Sequence, residues 1–169
     1  MSAPRPPADL AANGKPAESV WDFPRPPRLD RVAWRVRVVL GGIEVVDAPR
    51  AVRVLETSQP PAYYVEPRHV RLDCLRPSDR TTWCEWKGAA SYADVVADRR
   101  VAPAAAWTYS QPSPRYDQIA GYWAFYAQLL DECWIDDERV DPNPGSFYGG
   151  WITANVTGPF KGEPGTSNW

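Results

Sequence analysis

Lysine is scarce in this chain, and its positions are the first chemical signal. Of 19 lysines and arginines only Lys15, Lys87 and Lys161 are lysines, which leaves 16 arginines. Both lysines within the body sit in aromatic-Lys-Gly triplets, Trp86-Lys87-Gly88 and Phe160-Lys161-Gly162. An ammonium is a compact point charge whose pKa drops readily on burial, which a guanidinium does not do. Lys87 is therefore the candidate for holding an anion or for acid/base work. The plainer alternative is an exposed lysine whose stem covers a tryptophan. Cys84, three residues earlier, is the second candidate. On an ideal strand Cys84 and Trp86 share one face, and Trp83, Glu85 and Lys87 share the other. A thiol on a tryptophan-lined face has a raised pKa, which favours an inert core cysteine over a nucleophile. A turn or bulge ahead of Gly88 would change this facing. The aromatics Tyr63, Tyr64, Tyr92, Trp107, Tyr109, Tyr122 and Tyr126 supply core filling. Those with polar tips could line a pocket with Trp86 and Lys87.

Other chemistries are excluded by what the chain lacks. Its one histidine, His69, would have to serve any Ser-His-Asp or Cys-His arrangement. Within Glu66-Pro67-Arg68-His69-Val70 it reads instead as an exposed turn residue. The three cysteines, Cys74, Cys84 and Cys133, form no Cys-x-x-Cys pair, so neither a disulfide framework nor a zinc clip is suggested. No metal site is expected. Neither Gly-x-x-x-x-Gly-Lys-Ser/Thr nor Gly-x-Gly-x-x-Gly occurs, which removes those two phosphate cradles. The sequence points to no cofactor. A net charge of −2 and a pI near 5.4 give no basic footprint, so nucleic acid is not an expected partner. No apolar run approaches the roughly 20 residues of a membrane span. Met1 to Lys15 lacks the form of a signal peptide, and a cytoplasmic location is expected.

These residues need a scaffold, and the pattern around them is mainly β. Nineteen prolines break helices repeatedly. Residues 35–40 and 43–46 alternate around Gly41-Gly42, a hairpin signature. Further strands are expected at 51–57, 62–65, 70–75, 81–86, 91–97, 105–109 and 122–126. A second hairpin joins Cys133-Trp134-Ile135 to Arg139-Val140. The fold class is a single domain of many short antiparallel strands, as a sandwich or a partly open barrel. One short helix is expected from Pro114 to about Gly121, with Ser113 as its cap. Residues 1–30 read as a Pro-rich arm with Trp21 and Phe23 tucked against the domain, or else as a docking segment. Residues 31–141 form the β core. Residues 142–169 form an aromatic, Gly/Pro-rich extension expected to pack back on that core, because disordered tails rarely carry such aromatics.

Four ordered blocks carry a family resemblance: 56–64 (Glu-Thr-Ser-Gln-Pro-Pro-Ala-Tyr-Tyr), 84–92, 105–112 and 119–126. Through them the chain resembles the domain-of-unknown-function 427 family over roughly residues 35–140, in its longer bacterial branch. The resemblance implies a β-tent-like fold. The family's provisional nucleotidyltransferase-like name implies a Gly-Ser turn followed by Asp-x-Asp metal ligands, a combination this sequence lacks. Relatives of that fold often hold zinc through paired Cys-x-x-Cys motifs, also missing here, so no zinc is expected. The leading functional reading is a domain that binds or transforms a small anionic or carbonyl-bearing molecule in an aromatic pocket around Lys87. The alternatives are a self-associating interaction module, using residues 21–23 and 147–151, and a nucleotidyl-transferring enzyme.

Overall fold

The computed structural model describes residues 9–169; the first residues of the Pro-rich arm lie outside them. The fold is mainly β, and no described helix is long and apolar enough to cross a membrane. One four-stranded antiparallel sheet runs in the order Trp123–Phe125, Arg100–Thr108, Gly88–Ala97, Leu75–Cys84. A second runs Glu138–Arg139, Glu132–Ile135, Val36–Leu40, Ile43–Ala48. A third has three strands, Arg28–Val32, Ala51–Leu55 and Ala62–Tyr64. Val65 and Trp123 exchange backbone hydrogen bonds of 2.9 and 3.0 Å, so the third sheet continues onto the edge of the first. The sheets do not close into a barrel.

Strand parity explains this layering. Within Gly88–Ala97, Ala90 and Tyr92 face an aromatic cluster, whereas Ala93, Val95 and Ala97 face an aliphatic one. Successive residues of a strand point to opposite faces, so this central strand is buried on both sides, while Leu75–Cys84 at the sheet edge has no buried residue. The adjacent Tyr63 and Tyr64 split in the same way, Tyr63 into the aliphatic core and Tyr64 into the aromatic one. The hairpin at Gly41-Gly42 forms as its alternation predicts, with both glycines at positive φ (60° and 76°). Gly41 is also close-packed: a Cβ there would lie 3.0 Å from the Ala97 carbonyl oxygen.

Three local expectations are revised. Of the strand expected at 70–75 only Leu75 is in one; residues 70–74 lie among two 3-10 turns, Pro67–His69 and Leu72–Cys74, with a single bridge from Val70 to Val46. The short helix is present as Pro114–Ile119, in 3-10 form with a kink at Tyr116, and Ser113 makes no side-chain cap to it. Trp21 stays 42% exposed, its ring edge-on to Trp169 at 5.2 Å, while Phe23 is buried.

The terminal segments meet each other on the body. Glu18–Ser19 pairs in parallel with Val156–Thr157, and Val20, Phe23, Leu55 and Val156 form a third apolar cluster. Arg53 is 4% exposed and ties this layer down through Glu18 (2.7 Å) and Asp30 (2.5 Å). Trp151 is also buried; it stacks on Tyr63 at 5.4 Å and donates its indole N–H to the Phe125 carbonyl at 2.9 Å.

Candidate functional site

The Leu75–Cys84 strand ends where Cys84 pairs with Gly88, so Glu85, Trp86 and Lys87 make the turn rather than continue the strand. Gly88 sits at φ +101°, a conformation that side chains rarely tolerate. Ser113 holds this turn: its N–H donates to the Lys87 carbonyl at 3.1 Å and its hydroxyl to the Trp86 carbonyl at 2.5 Å. The ideal-strand facing therefore fails. Cys84 and Lys87, placed on opposite faces by simple alternation, line one cavity of about 440 Å³.

The binding residues expected from sequence converge there, except that Tyr63 and Tyr122 do not line the cavity. Tyr64, Cys84, Trp86, Lys87, Tyr92, Trp107, Tyr109 and Tyr126 are all in the wall. Lys87 is 7% exposed, with its ammonium nitrogen 5.5 Å from the Tyr109 ring centroid. It makes no ion pair or side-chain hydrogen bond with any described residue. The aromatic wall is rigidly arranged. The Trp107 indole N–H donates to Tyr64 at 2.9 Å, and its ring lies 4.7 Å from Tyr126. Thr82 and Tyr92 share a hydroxyl hydrogen bond of 3.0 Å, and Tyr126 donates to the Phe147 carbonyl at 3.1 Å. The Tyr109 hydroxyl has no partner among the described residues. Burial pushes the Tyr64, Tyr109 and Tyr126 phenols far up, so they stay protonated and neutral.

The opposite wall was not assigned from sequence. Glu56 and Gln59 come from the turn after Ala51–Leu55, whose Ser58 is fully buried at φ +72°. A non-glycine residue in that region signals a locally imposed conformation. Here the imposing bonds are visible: the Ser58 N–H donates to the Val20 carbonyl at 3.0 Å, and its carbonyl accepts from the Lys161 N–H at 2.8 Å. That second bond brings Lys161 to the cavity, with its ammonium 5.2 Å from the Tyr148 ring and 3.0 Å from the Trp169 carbonyl. The twin aromatic-Lys-Gly triplets were the sequence signal for it. Glu56 is occupied by Gln59 (2.8 Å) and Arg25 (3.6 Å), so it does not neutralise Lys87. Gly149 and Gly150 complete the wall in close contact: a Cβ would fall 2.4 Å from Trp107 and 2.1 Å from the Pro60 carbonyl oxygen. Trp83 (77% exposed) and Phe147 (62%) stand at the rim.

No zinc set fits these residues. Cys74 and Cys133 are buried away from the cavity, and burial raises both thiols. Among the described residues no group of His, Cys, Asp and Glu is placed to hold a metal ion. Asp136 is engaged by Lys15 (2.8 Å) and the Arg35 N–H (2.8 Å) at a hairpin turn. His69 is not in the cavity wall.

A sequence model of the domain of unknown function DUF427 matches residues 28–136, well over half of the chain. The chain belongs to the DUF427 family. No curated protein matches it. The DUF427 segment supplies Lys87, Cys84 and the aromatic wall. Phe147 to Gly150 and Lys161, which close the opposite side, lie beyond the matched region.

Proposed function

We propose that this DUF427 protein binds a small organic molecule that presents an anionic or carbonyl oxygen to Lys87 and an apolar, preferably aromatic, body to the wall around Trp107. One observation carries the reading: a lysine only 7% exposed, and without an anionic partner among the described residues, lines an aromatic cavity. Buried charges are normally paired, because desolvating an unpaired ion is costly. A ligand oxygen would complete that pairing. The cavity's volume falls within the range usual for small-molecule sites, and its few polar groups amid aromatic walls match their usual character. The self-association reading has less support, since Phe23 and Trp151 are both buried within the chain.

The test is a titration followed by tryptophan fluorescence, with hydrocinnamate as the anionic probe, benzylacetone as the carbonyl probe and propylbenzene as the apolar control. The two oxygen-bearing probes should bind more tightly than propylbenzene. Lys87→Met should weaken hydrocinnamate roughly 10- to 100-fold, the effect of losing one charge-assisted hydrogen bond. Equal affinity for all three probes, or no binding by any of them, would refute the proposal.

A further inference from the structure

We infer that Cys84 is a nucleophile of this cavity, adding its thiol to conjugated enones or enals whose carbonyl oxygen faces Lys87 and Tyr109. The inference rests on the ligand-binding reading above and names a substrate class for that site. The three cysteines are not equivalent. Cys74 and Cys133 are buried in the aliphatic core, whereas Cys84 is half-buried and lines the cavity. Its backbone is fixed by pairing with Gly88 at the end of the hairpin, so its side chain is delivered to the wall by the sheet itself.

Tyr109 connects the two groups. The Lys87 ammonium sits over its ring at 5.5 Å. Burial pushes the Tyr109 phenol up, so it stays protonated and able to donate, and Cys84 lines the same cavity. Lys87 and Tyr109 act on the oxygen end of the substrate, where charge develops as the sulfur adds. Lys87 is more than nine-tenths buried, carries no ion pair, and faces the same space. Preorganised donors aimed at developing negative charge are the usual device for stabilising an oxyanion.

The addition is balanced without any co-reactant. A bond forms between Cys84 Sγ and the β-carbon of the substrate. The C=C π pair moves to give an enolate, whose oxygen faces Lys87 Nζ and the Tyr109 hydroxyl. The proton lost from the thiol ends on the α-carbon, leaving a saturated carbonyl joined to Cys84 by a thioether. Nothing is expelled and no net oxidation or reduction occurs. The aromatic walls select substrates with an apolar body.

The experiment pairs benzylideneacetone, which can add, with benzylacetone, its saturated counterpart, which can only bind. Intact-mass and peptide mass spectrometry of the full chain should find one benzylideneacetone adduct, on Cys84, formed at least tenfold faster than on glutathione at the same pH. Cys84→Ser should abolish it. Lys87→Met and Tyr109→Phe should each slow this addition at least tenfold, but slow disulfide exchange with 2,2′-dithiodipyridine, whose leaving group carries no charge on oxygen, by much less. If benzylacetone binds and Cys84 stays unmodified, the inference falls while the ligand-binding reading stands. If neither compound binds, both fall. An adduct formed at the glutathione rate, or equal slowing of both reagents in the two variants, would also overturn it, because the thiol would then be merely accessible.

Discussion

Lys87→Met separates a lysine kept for a ligand from one that holds the fold together. The lysine is 7% exposed, so its stem is packed and only its charge lacks a partner. Methionine retains an unbranched apolar stem of similar length, and volume-conserving swaps of this kind usually cost under about 1.5 kcal/mol. Against that loss stands the removal of a charge without a partner, in a class where an unsatisfied buried polar group costs about 1–3 kcal/mol. The two effects nearly cancel, so Lys87→Met should unfold within about 1 kcal/mol of the parent or be more stable. Lys87→Ala also deletes three methylenes beyond Cβ, at about 0.8 kcal/mol each. It should therefore lose about 2–3 kcal/mol, a drop in Tm of roughly 5–10 °C for a domain of this size. Urea denaturation followed by tryptophan fluorescence measures both, with hydrocinnamate affinity recorded on the same samples. A loss above about 3 kcal/mol in Lys87→Met would refute the reasoning. The ammonium would then be a stabilising member of the fold, and the cavity would lose its recognition group.

Three further perturbations test the supporting structure. Gly149→Ala places a methyl group 2.4 Å from the Trp107 ring; it should cost about 1–3 kcal/mol by overpacking and weaken benzylacetone, and unchanged affinity would remove this segment from the wall. Gly150→Ala meets the Pro60 backbone at 2.1 Å, which cannot swing aside as a side chain can, so its loss in urea denaturation should be the larger of the two. Ser113→Ala removes the hydroxyl bond to the Trp86 carbonyl; it should cost about 1 kcal/mol and reduce hydrocinnamate affinity several-fold, whereas a stability loss alone would mark Ser113 as a structural residue only. Acid titration of stability is the last test. The Gly41 N–H holds the Asp131 carboxyl below its ordinary value, with Arg100 assisting against partial burial, and the Ala104 N–H does the same for Asp94. A lowered folded pKa means that the unfolded chain takes up protons first. Their contribution is therefore complete above about pH 4 and fades as pH falls through the lower folded values. Urea midpoints should drop over that window, less steeply in Asp131→Asn, and a flat profile would contradict the assignment.

Much of the scaffold is local in origin. The alternation around Gly41-Gly42, the proline spacing and the run of short β segments are properties of neighbouring residues, and strands follow from them directly. The excess of aromatics and the scarcity of lysine likewise pointed to Lys87 and its surroundings before any contact was known. Other features depend on partners distant in the chain. Residues 70–74 turn instead of extending, although Val70 and Leu72 sit at strand-like spacing. The strand before Lys87 stops at Cys84 because Ser113 clasps the turn from a later segment, and periodicity carries no information about such a clasp. A strand buried on both faces has no polar side to mark direction, so parity separates Tyr63 from Tyr64 without saying which core each one enters. Lys161 reaches the cavity only because its N–H bonds to the buried, positive-φ Ser58 and because glycines let the final segment pass within contact of Trp107 and Pro60. The sequence by itself determined which groups are chemically able to act. Tertiary structure decided that Lys87, Cys84, Tyr109 and Lys161 meet, because long-range hydrogen bonds and close backbone packing set where strands end and which faces are enclosed.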